Sequence, residues 1–206
     1  MSIQNKVELY PLFSNPVFVS NEHEDYCFAD IVAYCQVLEY RSNAGGNFAS
    51  IDTNILENPV FSKIKELVWD AINHYTKGVM RWEDHEFFIT QSWVNVNPTD
   101  TYHHIHHHNN SIVSGVFYLQ TNKNETITFH GETKSTLELT NADYNLWNSK
   151  TWNMDVKDNT IAIFPSLLAH SVKTNTHQRE RISIAFNIFV RGKIGSEEAL
   201  TLLEIK

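Results

Sequence analysis

Residues 86–97 read EFFITQSWVNVN. Aromatic and β-branched side chains alternate there with polar ones at a period of two, the pattern of a strand with one buried face. The same character recurs in SIVSGVFYLQT (111–121), ETITFH (125–130), WNMDV (152–156), TIAIFP (160–165), HSVKT (170–174) and RISIAFNIFV (181–190), with a weaker stretch around Leu137–Leu139. Turn-prone joints such as Lys157–Asp158–Asn159 and Thr174–Asn175–Thr176 separate them. About eight short strands follow residue 86 with no helical pattern between the later ones. A parallel α/β sheet would need such helices.

Upstream the pattern differs. VELYPLFSNPVFVS (7–20) reads as one or two short strands broken by Pro11 and Pro16. In FADIVAYCQVLEY (28–40), Phe28, Ile31, Val32, Cys35 and Leu38 recur at helical spacing, so this stretch is predicted to be an amphipathic helix. Residues 41–56 read as a loop around Gly45 and Gly46. A second helix is predicted after Asn58, a capping residue, and Pro59, which suits a first turn. Its apolar stripe is Val60, Phe61, Ile64, Leu67, Val68, Ala71, Ile72 and Tyr75, and Gly78 is the expected stop. Two helices followed by many strands give a mainly β barrel or sandwich with the N-terminal helices packed on one outer face.

A length of 206 residues fits one domain. Its expected layout over 1–206 is a strand-and-helix support region (1–85) and a β core (86–192). The net charge of −8 opposes non-specific binding to nucleic acid or anionic membranes. Cys27 and Cys35 lie eight residues apart in the first helical stretch. That is a rise of about 12 Å, beyond disulfide reach, so both read as buried thiols in a reducing compartment. No apolar run is long enough to span a membrane, and the mixed polar N-terminus predicts no signal peptide. These features predict a soluble, cytoplasmic protein.

Five of the 11 histidines fall between Tyr102 and Asn109. In HHIHHHNNS (103–111), strand alternation would set His104, His106 and His108 on one face. Two imidazoles at i and i+2 can chelate a metal, although such a pair alone is commonly a solvated strand end. His170 starts a strand after the turn that ends TIAIFP, a position that is usually structural when taken by itself. In RISIAFNIFV, Ile182, Ile184, Phe186 and Ile188 share one face. Arg181, Ser183, Ala185 and Asn187 share the other. An arginine and a serine on one inner face suit a carboxylate ligand; an edge strand with a wet polar face is the alternative. The five tryptophans and Asp84, Glu86, Glu132 and Glu138 have plain structural or solvated readings, and Asn95 and Asn97 are candidates for a pocket wall.

Taken together, LFSNPVFV, QSWVNVN, HHHNNSIVSGVFYL, TIAIFPSLLAHSV and ERISIAFNIFV resemble the 2-oxoglutarate/Fe(II)-dependent oxygenase superfamily, specifically a bacterial and phage branch of it. The resemblance spans nearly the whole chain. It implies a double-stranded β-helix, the jelly roll of cupin-like proteins, and a dioxygenase that couples decarboxylation of 2-oxoglutarate by Fe(II) and O2 to oxidation of an unidentified substrate. It implies metal ligands at His106, His108 and His170, with His104 as the alternative to His108. It places the co-substrate on Arg181, assisted by Ser183 and Tyr118. Most of the superfamily carries an acid where this chain has His108, and three neutral ligands would leave the ion its full charge. Two rivals follow: a three-histidine cupin-type metalloenzyme that does not use 2-oxoglutarate, and a non-catalytic jelly-roll binding module. The oligomeric state, a homodimer included, and the prime substrate, whether a small molecule or a peptidyl or nucleotide group, stay open.

Overall fold

The computed structural model describes residues 8–21, 26–82, 85–131, 137 and 140–206. In chain order the elements are β1 (Phe18–Ser20), α1 (Ala29–Cys35), β2 (Tyr40–Ser42), β3 (Phe48–Ser50), α2 (Ser62–Asn73), β4 (Glu86–Asn97), β5 (His103–His106) and β6 (Val113–Gln120). Then come β7 (Thr126–His130), β8 (Thr151–Asp155), β9 (Ile161–Pro165), β10 (His170–Val172), β11 (Arg181–Ile194) and β12 (Leu203–Ile205). The larger sheet runs β1-β9-β6-β11-β4-β3-β2, with β12 also pairing β11, and the smaller runs β5-β10-β7-β8. The strand ladders in both are antiparallel. This is the jelly roll that the resemblance implies, and it has the mainly β architecture that the alternation predicts.

The alternation in β11 and β4 divides the interior into two layers. Ile182, Ile184, Phe186 and Ile188 of β11, with Val94 and Val96 of β4, face the helices and meet Phe61, Ile64, Val68 and Ile72 in the larger apolar cluster. Each of these side chains contributes roughly 1.5–3 kcal/mol by leaving water. A smaller cluster of Tyr118, Ile127, Phe129, Val156, Ala162 and Phe164 lies between the two sheets. The helices therefore cover the outer face of the larger sheet. The opposite face of β11 and β4 is free to build a site.

Several local expectations differ from what forms. Only Phe18–Ser20 of the N-terminal stretch becomes a strand among its described residues, paired with β9. The first helix ends at Cys35, and Leu38 still packs against the core after the chain has turned. Residues 41–56 hold a β2–β3 hairpin and a 3-10 turn at Ile55–Glu57. Asn58 caps as expected, its side chain accepting from the Val60 N–H, and Pro59 opens a 3-10 turn that leads into α2. Gly78 is not the stop. The helix widens into a π-turn over His74–Val79, and Arg81 takes the left-handed conformation at φ 57°. Cys27 is exposed, before the helix begins, while Cys35 is buried; both are free thiols. Of the stretch around Leu137–Leu139, residues 138 and 139 lie outside the described residues, as do Asp84 and Glu132; Leu137 is exposed in a bend.

Candidate metal and co-substrate site

The inner face of the larger sheet and the facing smaller sheet enclose a cavity of about 300 Å³. From β11 come Arg181, Ser183 and Ala185; from β4, Trp93 and Asn95; from β6, Val116 and Tyr118. His103 and His106 enter from β5, His108 from the loop after it, and His170 from the start of β10. Every candidate site residue named from the sequence, apart from His104 and Asn97, lines this one cavity.

Strict alternation on the histidine strand does not hold. Facing β10, the pairing steps from Val172↔His103 to His170↔His106, three residues on β5 against two on β10. This bulge turns both His103 and His106 inward, although one residue parity would have opposed them. His104 is exposed outside the cavity wall. The ring nitrogens of His106, His108 and His170 offer ligand atoms that all lie within 4.8 Å of one another. The Nε2 atoms of His108 and His170 are 3.3 Å apart. That is close to the spacing of two nitrogens each about 2.1 Å from one ion at right angles. Among the described residues, no carboxylate joins the cluster.

Backbone carbonyls set the tautomers. His170 Nδ1 lies 2.9 Å from the Leu168 carbonyl and His106 Nδ1 lies 2.8 Å from the His104 carbonyl. A carbonyl only accepts, so each Nδ1 carries the proton and each Nε2 presents a lone pair. Burial keeps these rings uncharged. It pushes His170 down to about 3, against the opposing pull of the Leu168 carbonyl, and His108 down to about 4 with help from His106 and His107. His106 is lowered in the same way. Neutral rings are the form that binds a metal.

The two ends of the smaller sheet's turn region are tied together. His108 N–H donates to the Ser166 carbonyl at 2.9 Å. Ser166 Oγ contacts Ser114 Oγ and Ser111 Oγ, each at 2.8 Å, and Ser114 Oγ donates to Asn187. The loop carrying His108 is thereby fixed to the turn that presents His170.

At the other end of the cavity, Arg181 is 2% exposed. Burial lowers its pKa, with Tyr118 and Glu125 opposing. Its Nη1 forms an ion pair with Glu125 Oε2 at 3.2 Å and its Nη2 donates to Asn97 Oδ1 at 3.1 Å, while Nε has no partner. Asn97 Oδ1 also accepts from His103 Nε2 at 2.9 Å. The His103 ring is pushed down to about 3 by burial, with Arg181 adding to the shift. Burial raises Tyr118 to about 12, so it stays a hydroxyl donor.

Sequence reasoning missed three of these residues. His103 lay within the tract but was set on the wrong face. Trp93, whose ring centroid is 6.0 Å from that of His108, shares the parity of Asn95 and was legible by that rule. Glu125 stands 56 residues from Arg181, and no local pattern signals it.

Residues 91–187 match the family model described as "Putative 2OG-Fe(II) oxygenase". Over that stretch, just under half of its length, the chain is similar to the 2OG-Fe(II) oxygenase family. The stretch holds all three clustered histidines, Arg181, Ser183 and Tyr118. No curated protein matches the chain. Solved structures share the fold of this oxygenase family at low identity. One is an oxidoreductase of the 2OG-Fe(II) oxygenase family from Burkholderia pseudomallei, at TM-score 0.58 and 15% identity, covering 84% of this chain and 83% of that one. HygX from Streptomyces hygroscopicus, with nickel and 2-oxoglutarate bound, aligns at TM-score 0.60 and 10% identity over 84% and 82%. A prolyl hydroxylase from Trichoplax adhaerens, in complex with a hypoxia inducible factor peptide fragment, aligns at 0.58 and 14% over 84% and 83%. At such identities the likeness bears on the fold.

Proposed function

We propose that this chain is a non-haem Fe(II), 2-oxoglutarate-dependent dioxygenase. His106, His108 and His170 hold the iron, and Arg181, with Ser183 and Tyr118, holds 2-oxoglutarate. What supports the reading is the convergence, inside one cavity, of three ligand nitrogens at one end and a buried guanidinium at the other. The donor set fits a borderline divalent ion, since imidazole nitrogen suits iron and the tautomers are preset. Fe(II) with 2-oxoglutarate and O2 supplies the oxidising chemistry, forming succinate and CO2 as the prime substrate is oxidised.

The chain's own part is binding, orientation and exclusion of water. The carbonyls of His104 and Leu168 hold two imidazoles by Nδ1, so that Nε2 would be the ligand atom of each. Arg181 offers charge-assisted donors to the distal carboxylate, and the Tyr118 and Ser183 hydroxyls add neutral ones. Phe164, Ile127 and Val116 wall the cavity with apolar surface, which strengthens each of these polar contacts. Arg41, Ser42 and Asn43 of the β2–β3 hairpin form the polar rim where a substrate would enter. HygX has been seen with hygromycin B, and the prolyl hydroxylase with a peptide. We extend to this chain a small-molecule or peptidyl substrate, without naming one. We further propose a cytoplasmic setting and one domain over 1–206, with 86–192 as its core. Among the described residues no helix is long and apolar enough to cross a membrane.

Calorimetric titration of Mn(II)-loaded protein with 2-oxoglutarate tests the assignment. Arg181→Leu should weaken binding by roughly 1.5–5 kcal/mol, the scale of losing a buried charged partner, and leave metal stoichiometry intact. Equal affinities in wild type and variant would remove 2-oxoglutarate from the site. They would favour a three-histidine enzyme without it, a reading with two observations of its own: among the described residues no carboxylate joins the cluster, and Arg181 already has a counter-ion in Glu125.

A further inference from the structure

The Arg181–Glu125 pair has a consequence for co-substrate binding, and it rests on the 2-oxoglutarate reading above. Both partners are nearly excluded from solvent, at 2% and 9% side-chain exposure. A guanidinium binds a carboxylate best through two parallel N–H donors. Here one N–H of Nη1 is engaged by Glu125 and one of Nη2 by Asn97, and Nε has no partner. An incoming distal carboxylate that settles on Arg181 while Glu125 stays would share one guanidinium with a second, buried anion. Two carboxylates at one buried cation would also repel each other in a poorly screened environment.

Glu125 has somewhere to go. It immediately precedes β7 and lines an open outer groove, which it shares with Lys173 and His177. His103 and Val172 line both this groove and the inner cavity, so they form the partition between them. A swing of the Glu125 side chain past this partition would move its charge from Arg181 toward solvent and the Lys173 side of the groove. The backbone need not follow, because the Glu125 carbonyl is fixed by the Val156 N–H at 3.0 Å.

We infer that Glu125 is a resident competitor for Arg181, which a 2-oxo acid with a distal carboxylate must displace and a 2-oxo monocarboxylate need not. Glu125 is then a specificity-determining residue. It neutralises Arg181 when the cavity holds no dicarboxylate, and it lowers the affinity for one in proportion to the strength of the pair.

The test titrates Mn(II)-loaded wild type and Glu125→Gln with 2-oxoglutarate and, separately, with 2-oxobutyrate. Gln keeps the length and an acceptor for Arg181 but removes the charge. Glu125→Gln should bind 2-oxoglutarate about tenfold more tightly, the scale of exchanging a charge-assisted hydrogen bond for a neutral one. Its affinity for 2-oxobutyrate should not change. Unchanged or weaker 2-oxoglutarate binding in the variant overturns the inference, as does an equal shift for both acids, which would mark a structural role alone. Should Glu125→Gln fail to fold, Glu125→Asp withdraws the carboxylate by one methylene and carries the same expectation. If 2-oxoglutarate binds wild type and the Arg181→Leu variant alike, the parent reading fails and this inference with it. If only the Glu125 comparison fails, the parent reading stands.

Discussion

His170 is the side chain on which the metal reading turns. It is 4% exposed, it starts a strand, and its Nδ1 is committed to the Leu168 carbonyl. A buried imidazole anchored in this way, with a second imidazole 3.3 Å away, has its remaining lone pair pointed at a shared centre. Replacing it removes one of three ligands, and among the described residues no further histidine, cysteine or carboxylate joins the cluster. We predict one divalent ion per chain and, for His170→Ala, a fall in affinity beyond the roughly 10–100-fold that loss of a supporting partner costs. His104→Ala should keep full affinity, because that ring lies outside the cavity wall. Anaerobic competition against a chromophoric chelator measures both, and retention of the ion in His170→Ala would discard the triad. The identities in this cluster were legible from the order of the histidines and from the resemblance. Their orientations were not, because a one-residue bulge on β5 reverses the parity on which alternation depends. Glu125 was illegible for another reason. A contact that closes over 56 residues has no period to read.

Strand β6 shows why the motif Ser114-Gly115-Val116 stands where it does. Val113, Phe117 and Leu119 point to the helices, while Val116 and Tyr118 point to the smaller cluster or its edge. Gly115 has the parity of the helix side, but Phe186 of the neighbouring strand lies over it. A Cβ there would meet the Phe186 ring at 2.3 Å and the Ala162 carbonyl at 2.9 Å. The glycine is what allows a phenylalanine to fill the layer between sheet and helices. Gly115→Ala should therefore destabilise by about 1–3 kcal/mol through overpacking. Gly115→Ala with Phe186→Leu should recover part of the loss. Urea unfolding of the four proteins decides this, and a single variant as stable as wild type would show that Phe186 moves aside at no cost. Long alternating strands such as β4 and β11 were legible because each presents several residues to each layer. The β2–β3 hairpin was not, since three-residue strands around Asn43–Gly46 carry too few side chains to establish a period. The end of the second helix was missed because Arg81, not the glycine, adopts the left-handed turn.

The two layers share the larger sheet, so the cavity and the helices press on opposite faces of the same strands. Cys35 reports on the helix side of that arrangement. It is fully buried in the helix–sheet cluster, and burial pushes its thiol up to about 12, so in the native protein it is neither accessible nor ionised. Cys27 is exposed. In a Cys27→Ser protein, alkylation at neutral pH can reach Cys35 only when the helices leave the sheet. If the 1–85 region and the β core open together as one cooperative unit, a ligand in the cavity must slow that labelling, although it touches nothing on the helix side. Linkage sets the size of the effect. At 100 times Kd the native state gains about 2.7 kcal/mol, and labelling through the open state slows about 100-fold. We predict this protection when Mn(II) and 2-oxoglutarate are added together, and its absence in His170→Ala. Labelling of Cys35 at an unchanged rate in the fully loaded wild type would mean that the helices open as a separate unit. The support region would then be a detachable layer, not a part of the catalytic domain.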